Sequence, residues 1–168
     1  LKSIVAQTRA TPTALFHRLD TTYMIGSFRV ALQKRRATSR TVKVLNIYTS
    51  ARRVADVIDL RDKWDLWKRV QSVRLAPGEQ LREITFTPPV PAANLCVEVA
   101  ETHDPDSKES LVCPRCSNRV PDRHGVCSHC GENAYQCRNC RYIPYENFNA
   151  FFCPQCGACR ESQLDVTV

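Results

Sequence analysis

Eight of the ten cysteines fall into four Cys-x-x-Cys pairs: Cys113/Cys116, Cys127/Cys130, Cys137/Cys140 and Cys153/Cys156. A Cys-x-x-Cys turn brings two thiolates to one Zn²⁺ at about 2.3 Å, and two turns complete a tetrahedral site. Four pairs therefore supply two closed sites. Disulfides are the competing reading. Adjacent Cys-x-x-Cys pairs and the absence of a signal peptide in this sequence favour metal in a reducing, cytoplasmic or nuclear setting.

Closed four-cysteine sites argue for structure over catalysis, because catalytic zinc keeps an open position for water. The histidines do not change this. His17 and His103 lie outside the cysteine block, and His124 and His129 lie inside it as polar loop residues. No catalytic or organic-cofactor site is expected. The intervals between pairs are ten, six and twelve residues. They favour sequential sharing, with the first two pairs on one ion and the last two on the other, since this closes small local loops. Cross-braced sharing, as in RING domains, is the alternative. Cys159 reads as a spare thiol, and Cys96 as a strand packing residue.

The formal charge is +7. Residues 1–110 hold 18 Lys/Arg against 12 Asp/Glu, and residues 111–168 hold 6 against 5. Each zinc with four thiolates carries −2, so metal turns the second region from +1 to −3. The basic character lies outside the cysteine block, in residues such as Lys34, Arg35, Arg36, Arg40, Arg52 and Arg53. Nucleic acid is therefore not the expected partner. Arg115, Arg119, Arg123, Arg138 and Arg141 do accompany Tyr142, Tyr145 and Phe148, but so small a core is expected to bury these aromatics. No apolar run is long enough for a membrane span.

The elements that must carry the cysteines read as mainly β. Phe28–Leu32 alternates, TVKVLNIYT at 41–49 is β-branched, and Gln71–Leu75 leads through Ala-Pro-Gly-Glu into Leu81–Thr87 as a hairpin. Pro88, Pro89 and Pro91 should end that strand, and Leu95, Val97 and Val99 share a face of the next. One short helix is expected within Val54–Trp67. Trp64 and Trp67 there read as core packing in preference to a calmodulin-target-like anchor. The expected divisions are an N-terminal arm or edge strand at 1–20, an antiparallel β-sandwich at 21–102, a linker at 103–111 and a double zinc ribbon at 112–168. The ribbon is too small to fold on burial alone. Structural zinc contributes about 10–16 kcal/mol in finger peptides. Losing Cys127 or Cys153 should then unfold the ribbon and spare the sandwich.

The stretch from Leu111 to Cys159, with its eight paired cysteines, the block Gly131-Glu132-Asn133-Ala134-Tyr135-Gln136 and Cys159, resembles a central segment of the giant N-degron (UBR-box) ubiquitin ligases, the family of plant BIG and fly pushover (calossin). A weaker likeness continues upstream through TVKVLNIYTS, DLWKRVQSVRLAPGEQ and PPVPAANLCVEV. The final strand pattern is similar to galactose-binding-like jelly rolls. The chain begins at Leu1, as a segment of a longer protein would. It contains neither the UBR box nor the family's catalytic RING-like module. The resemblance implies membership of a ligase acting in ubiquitin-dependent turnover, with protein partners in a large assembly and calmodulin bound elsewhere in the parent. One departure is the tail Arg160-Glu-Ser-Gln-Leu-Asp-Val-Thr-Val, where the family has an aromatic-rich basic strand. The expected function is a non-catalytic scaffold or protein-recognition module with two structural zinc ions. The alternatives are a RING-like domain for conjugating enzymes and a zinc-ribbon nucleic-acid binder. Pro114 and Arg115 in the first metal loop and the all-cysteine ligand set count against the RING.

Overall fold

The computed structural model describes residues 5–34, 40–103, 111–113, 115–146, 150–159 and 162–167. Arg35, Arg36, Pro114, Phe148 and most of the expected linker, 104–110, lie outside these. Six strands form: β1 (Val5–Ala10), β2 (Ala14–Lys34), β3 (Thr41–Ser50), β4 (Lys68–Arg74), β5 (Leu81–His103) and β6 (Ser162–Thr167). All pairings are antiparallel. The order is β1-β2-β5-β3-β4, with β6 on the other half of β2.

The two long strands build both layers of the structure. The first part of β2 (14–18) pairs with β5 at 94–98, and its later part (27–31) pairs with β5 at 81–85. Between them the register slips twice. Arg18 and Tyr23 face Asn94 and Ala92, whereas Ile25 and Ser27 face Val90 and Thr85. Extra residues accumulate first on β2 and then on β5, and such bulges bend strands. They also switch the inward face. Leu15, Leu19 and Ile25 point to the core before the bend, and Phe28, Val30 and Leu32 after it. A one-residue change of phase inverts a strand's faces. One buried cluster joins Leu45, Ile47, Leu95 and Val97 from one leaf to Phe28, Val30, Ile84 and Phe86 from the other. Phe28 stacks on Phe86 at 5.7 Å. A smaller cluster on the outer face packs Ala14, Phe16 and Cys96 against Val57, Leu60 and Trp67.

The structure departs from several expectations. β4 pairs with β3, not with Leu81–Thr87, so the Ala-Pro-Gly-Glu turn links strands that are not neighbours. The prolines do not end β5. Pro88 and Pro89 sit in its excursion between Thr85 and Val90, where ladder donors are not required. The segment expected to be helical forms two 3₁₀ turns, Val57–Leu60 and Trp64–Leu66. Asp56 caps the first through Ile58 N–H at 3.0 Å. Trp67 is buried there, its indole N–H donating to the Leu60 carbonyl at 2.9 Å, as core packing requires. Trp64, by contrast, is exposed, and ring contacts with Phe16 and Tyr48 tie it to the sheet. The stretch 1–20 contributes β1 and the start of β2. The stretch 112–168 returns its end to the sheet as β6, with six residue pairs along β2.

Candidate metal centres

Each Cys-x-x-Cys pair folds into the same turn. The N–H of the residue after the second cysteine donates to the first cysteine's carbonyl: Ser117 to Cys113 (3.0 Å), Gly131 to Cys127, Arg141 to Cys137 and Gly157 to Cys153 (2.8 Å each). The first cysteine's N–H closes the turn on the residue five ahead, Asn118, Glu132, Tyr142 or Ala158, at 2.8–2.9 Å. Closure requires a left-handed backbone at the residue after the second cysteine. The φ angles are +61° at Ser117, +72° at Gly131, +61° at Arg141 and +74° at Gly157. Glycine takes this conformation freely, whereas Ser117 and Arg141 are strained in it. The glycines after Cys130 and Cys156 signalled the turn in the sequence; nothing signalled it at the other two positions.

The turns pair in chain order. Cys113, Cys116, Cys127 and Cys130 form one cluster, and Cys137, Cys140, Cys153 and Cys156 the other, with all sulfurs of a cluster within 4.8 Å of one another. Sharing is thus sequential. Closest sulfur distances are 3.5 Å (Cys113–Cys130), 3.6 Å (Cys116–Cys127 and Cys140–Cys153) and 3.7 Å (Cys137–Cys156). A tetrahedron with bonds of about 2.3 Å has edges of about 3.8 Å. Both clusters fit a tetrahedral thiophilic ion. None of the four histidines joins them. His124 accepts from Arg123 at 3.1 Å, and His103 contacts the Leu75 carbonyl at 3.1 Å. His17 is buried beside Thr8, and burial lowers its pKa to about 4.

No family model matches the chain. It is 39% identical over 160 residues to the rice protein named auxin transport protein BIG, covering 94% of this chain and 3% of that protein. It is 40% identical over 131 residues to a probable E3 ubiquitin-protein ligase of Dictyostelium discoideum, covering 76% and 2%. It is 34% identical over 170 residues to the protein purity of essence of Drosophila pseudoobscura, covering 100% and 3%. The chain belongs to the BIG family. It spans only 2–3% of these relatives' lengths. Among solved structures, a family 32 carbohydrate-binding module of C. perfringens NanJ, in complex with galactose, matches with a TM-score of 0.42 at 13% identity. The match covers 55% of this chain and 58% of that one.

The two clusters of this BIG-family segment sit differently. The first is enclosed by its own ribbon, with Cys113, Val120 and Cys127 at the centre and Leu111 and Ala134 around them. The second leans on the sheet. Phe151 and Phe152 both donate N–H to the Pro12 carbonyl, at 2.8 and 3.1 Å. They belong to the main core, as does Cys159. A Cβ on Gly157 would meet Ala10 at 3.6 Å and Leu15 at 4.0 Å, so this turn lies close against β1 and β2. The expected independence of sandwich and ribbon therefore fails for the second cluster, because the ribbon's aromatics complete the sheet's core. Cys159 is also more than a spare thiol, being a core residue that forms a β-bridge with Phe152.

Burial opposes ionisation of Cys113, but N–H groups of Cys116 and Arg115 and the neighbouring thiols prevail and bring it to about 7. The Glu132 N–H favours a thiolate at Cys130, yet burial and three thiols push it up to about 12. In the second cluster burial again opposes ionisation of Cys156, and Asn139, the Ala158 N–H and adjacent thiols bring it to about 7. Burial and its neighbours raise Cys153 to about 12. Each cluster therefore offers one readily ionised sulfur to an incoming cation. The remaining thiols must lose protons as the metal binds.

Proposed function

We propose that this segment is a non-catalytic scaffold or protein-recognition module of a giant E3 ubiquitin ligase, held by two structural zinc ions. Cys113, Cys116, Cys127 and Cys130 hold one ion, and Cys137, Cys140, Cys153 and Cys156 the other. The observation that carries this reading is the closure of both clusters by four thiols in chain order, which leaves no coordination position for water or substrate. Zinc supplies cross-linking here, and the ribbon's own residues set its turns and its seat on Pro12. The family relationship supports a role within a ligase assembly with protein partners. No helix among the described residues is long and apolar enough to cross a membrane. A cytoplasmic or nuclear setting belongs to the same reading, since eight thiols must stay reduced.

Two measurements test it. Metal analysis of the purified chain should give two zinc ions, and disulfide-linked cysteines without metal would refute the metal assignment. With ubiquitin-activating enzyme and a panel of conjugating enzymes, the chain should not stimulate discharge of loaded ubiquitin. Discharge dependent on Arg115 would instead make it a RING-like module.

A further inference from the structure

The ribbon surface contradicts one expectation in a useful way. Tyr142 and Tyr145 are not buried but 41% and 71% exposed. Neither makes a ring contact or side-chain hydrogen bond among the described residues. Arg115, Arg119, Arg123, Arg138 and Arg141 are all exposed, and none pairs with an acid among the described residues. Arg141 adds a separate observation. It occupies, at φ +61°, the place that glycine fills at Gly131 and Gly157. A large cation stands where the backbone disfavours any side chain, and such strain gathers at functional positions.

We infer that the third turn of the ribbon, carrying Arg138, Arg141, Tyr142 and Tyr145, is a binding platform for single-stranded nucleic acid. Flat aromatic faces stack on bases without regard to sequence, and arginines hold the phosphates. The platform is rigid, because Cys137 N–H donates to the Tyr142 carbonyl and Arg141 N–H to the Cys137 carbonyl, both at 2.8 Å. Tyrosine and arginine are also frequent in protein interfaces, but those surround a desolvated apolar centre. Among the described residues this turn has none: Asn139 and Glu146 are exposed, Ile143 is only half-buried, and Pro144 is buried away from the surface. The loaded cluster beneath carries −2, so long-range attraction is weak. Contact is made at short range, with modest affinity and about two phosphates engaged, one for each arginine.

The test uses the metal-loaded 168-residue chain and fluorescein-labelled ten-nucleotide oligo-U in anisotropy titrations. Two contacts on a single strand give a log–log salt slope of about −1.4. Raising salt fourfold should therefore weaken binding about sevenfold. Tyr142→Ala and Tyr145→Ala should each weaken it about tenfold. Arg141→Gly should also weaken binding while leaving the thermal midpoint unchanged or raised, which separates contact from folding. The inference falls if oligo-U does not bind at low salt. It falls equally if binding survives these substitutions and is lost with Arg52→Ala/Arg53→Ala on the sandwich. Tighter binding of an octaglutamate peptide than of oligo-U would reassign the surface to acidic protein segments.

Discussion

The two cysteine clusters share one backbone recipe and differ in what surrounds them. The first closes on residues of its own ribbon, Leu111 to Ala134. The second is built into the sandwich through Phe151, Phe152, the Pro12 carbonyl and Gly157, and the chain then runs on into β6. Equal coordination chemistry thus produces unequal reach. One ion would fold a ribbon, whereas the other would also hold a sheet edge and part of the main core.

The largest expected effect tests that inequality. Cys127→Ser should unfold the first ribbon and leave the sandwich's cooperative melt near its original midpoint. Cys153→Ser should lower that midpoint and expose β6 and its partner stretch of β2 to hydrogen exchange. Losing a structural zinc removes stabilisation on the order of 10 kcal/mol from whatever depends on it. Equal protection of β6 in both variants would break the comparison. Phe152→Ala separates the aromatic seat from the metal. Phe152 is fully buried, and truncation should cost about 3–5 kcal/mol of global stability. Zinc should remain at two per chain if the seat and the coordination sphere are distinct.

How much of this was legible in sequence follows from the range of the signals. The cysteine spacing is local, and the grouping it favoured is the one found. β3 at 41–50 and the face shared by Leu95, Val97 and Val99 were also readable from short-range alternation. Pairing partners were not. Gln71–Leu75 and Leu81–Thr87 look like a hairpin by turn chemistry, but β3 competes for β4 and β2 for β5. The return of β6 to β2 joins residues about 130 positions apart in the chain, as Leu32 with Leu164, and no periodicity encodes such a contact. Phe151 and Phe152 join the sheet's core through contacts of the same long range. The exposure of Tyr142 and Tyr145 was missed because the second cluster borrows its apolar support from the sheet.

A pH dependence localises the sandwich side of the comparison. His17 lies in β2 beside β1, buried, with Nδ1 near Thr8 Oγ1 at 3.1 Å and Nε2 without a partner. Burial lowers its pKa from 6.5 to about 4. The unfolded chain therefore binds more protons across that interval, so stability is complete above about pH 6.5 and is lost as pH falls toward 4. The full interval corresponds to about 3 kcal/mol. His17→Phe should flatten this part of the curve relative to the parent, measured by urea unfolding at constant zinc. An unchanged difference between pH 7 and pH 5 would show that the imidazole is hydrated in solution.

The smallest effect is also the sharpest test of how the clusters differ. Ser117 and Arg141 hold equivalent left-handed positions, one in each cluster. Replacing either by glycine relieves a backbone penalty of about 1 kcal/mol. In the first cluster that gain is confined to the ribbon, so Ser117→Gly should slow hydrogen exchange around Cys113–Val120 and leave the sandwich's midpoint alone. In the second cluster the turn belongs to the same four-sulfur group as the one resting on Ala10 and Leu15. Arg141→Gly should therefore raise the midpoint of the whole domain by a few degrees. A midpoint that rises equally in both variants would mean that the first ribbon, too, unfolds together with the sheet.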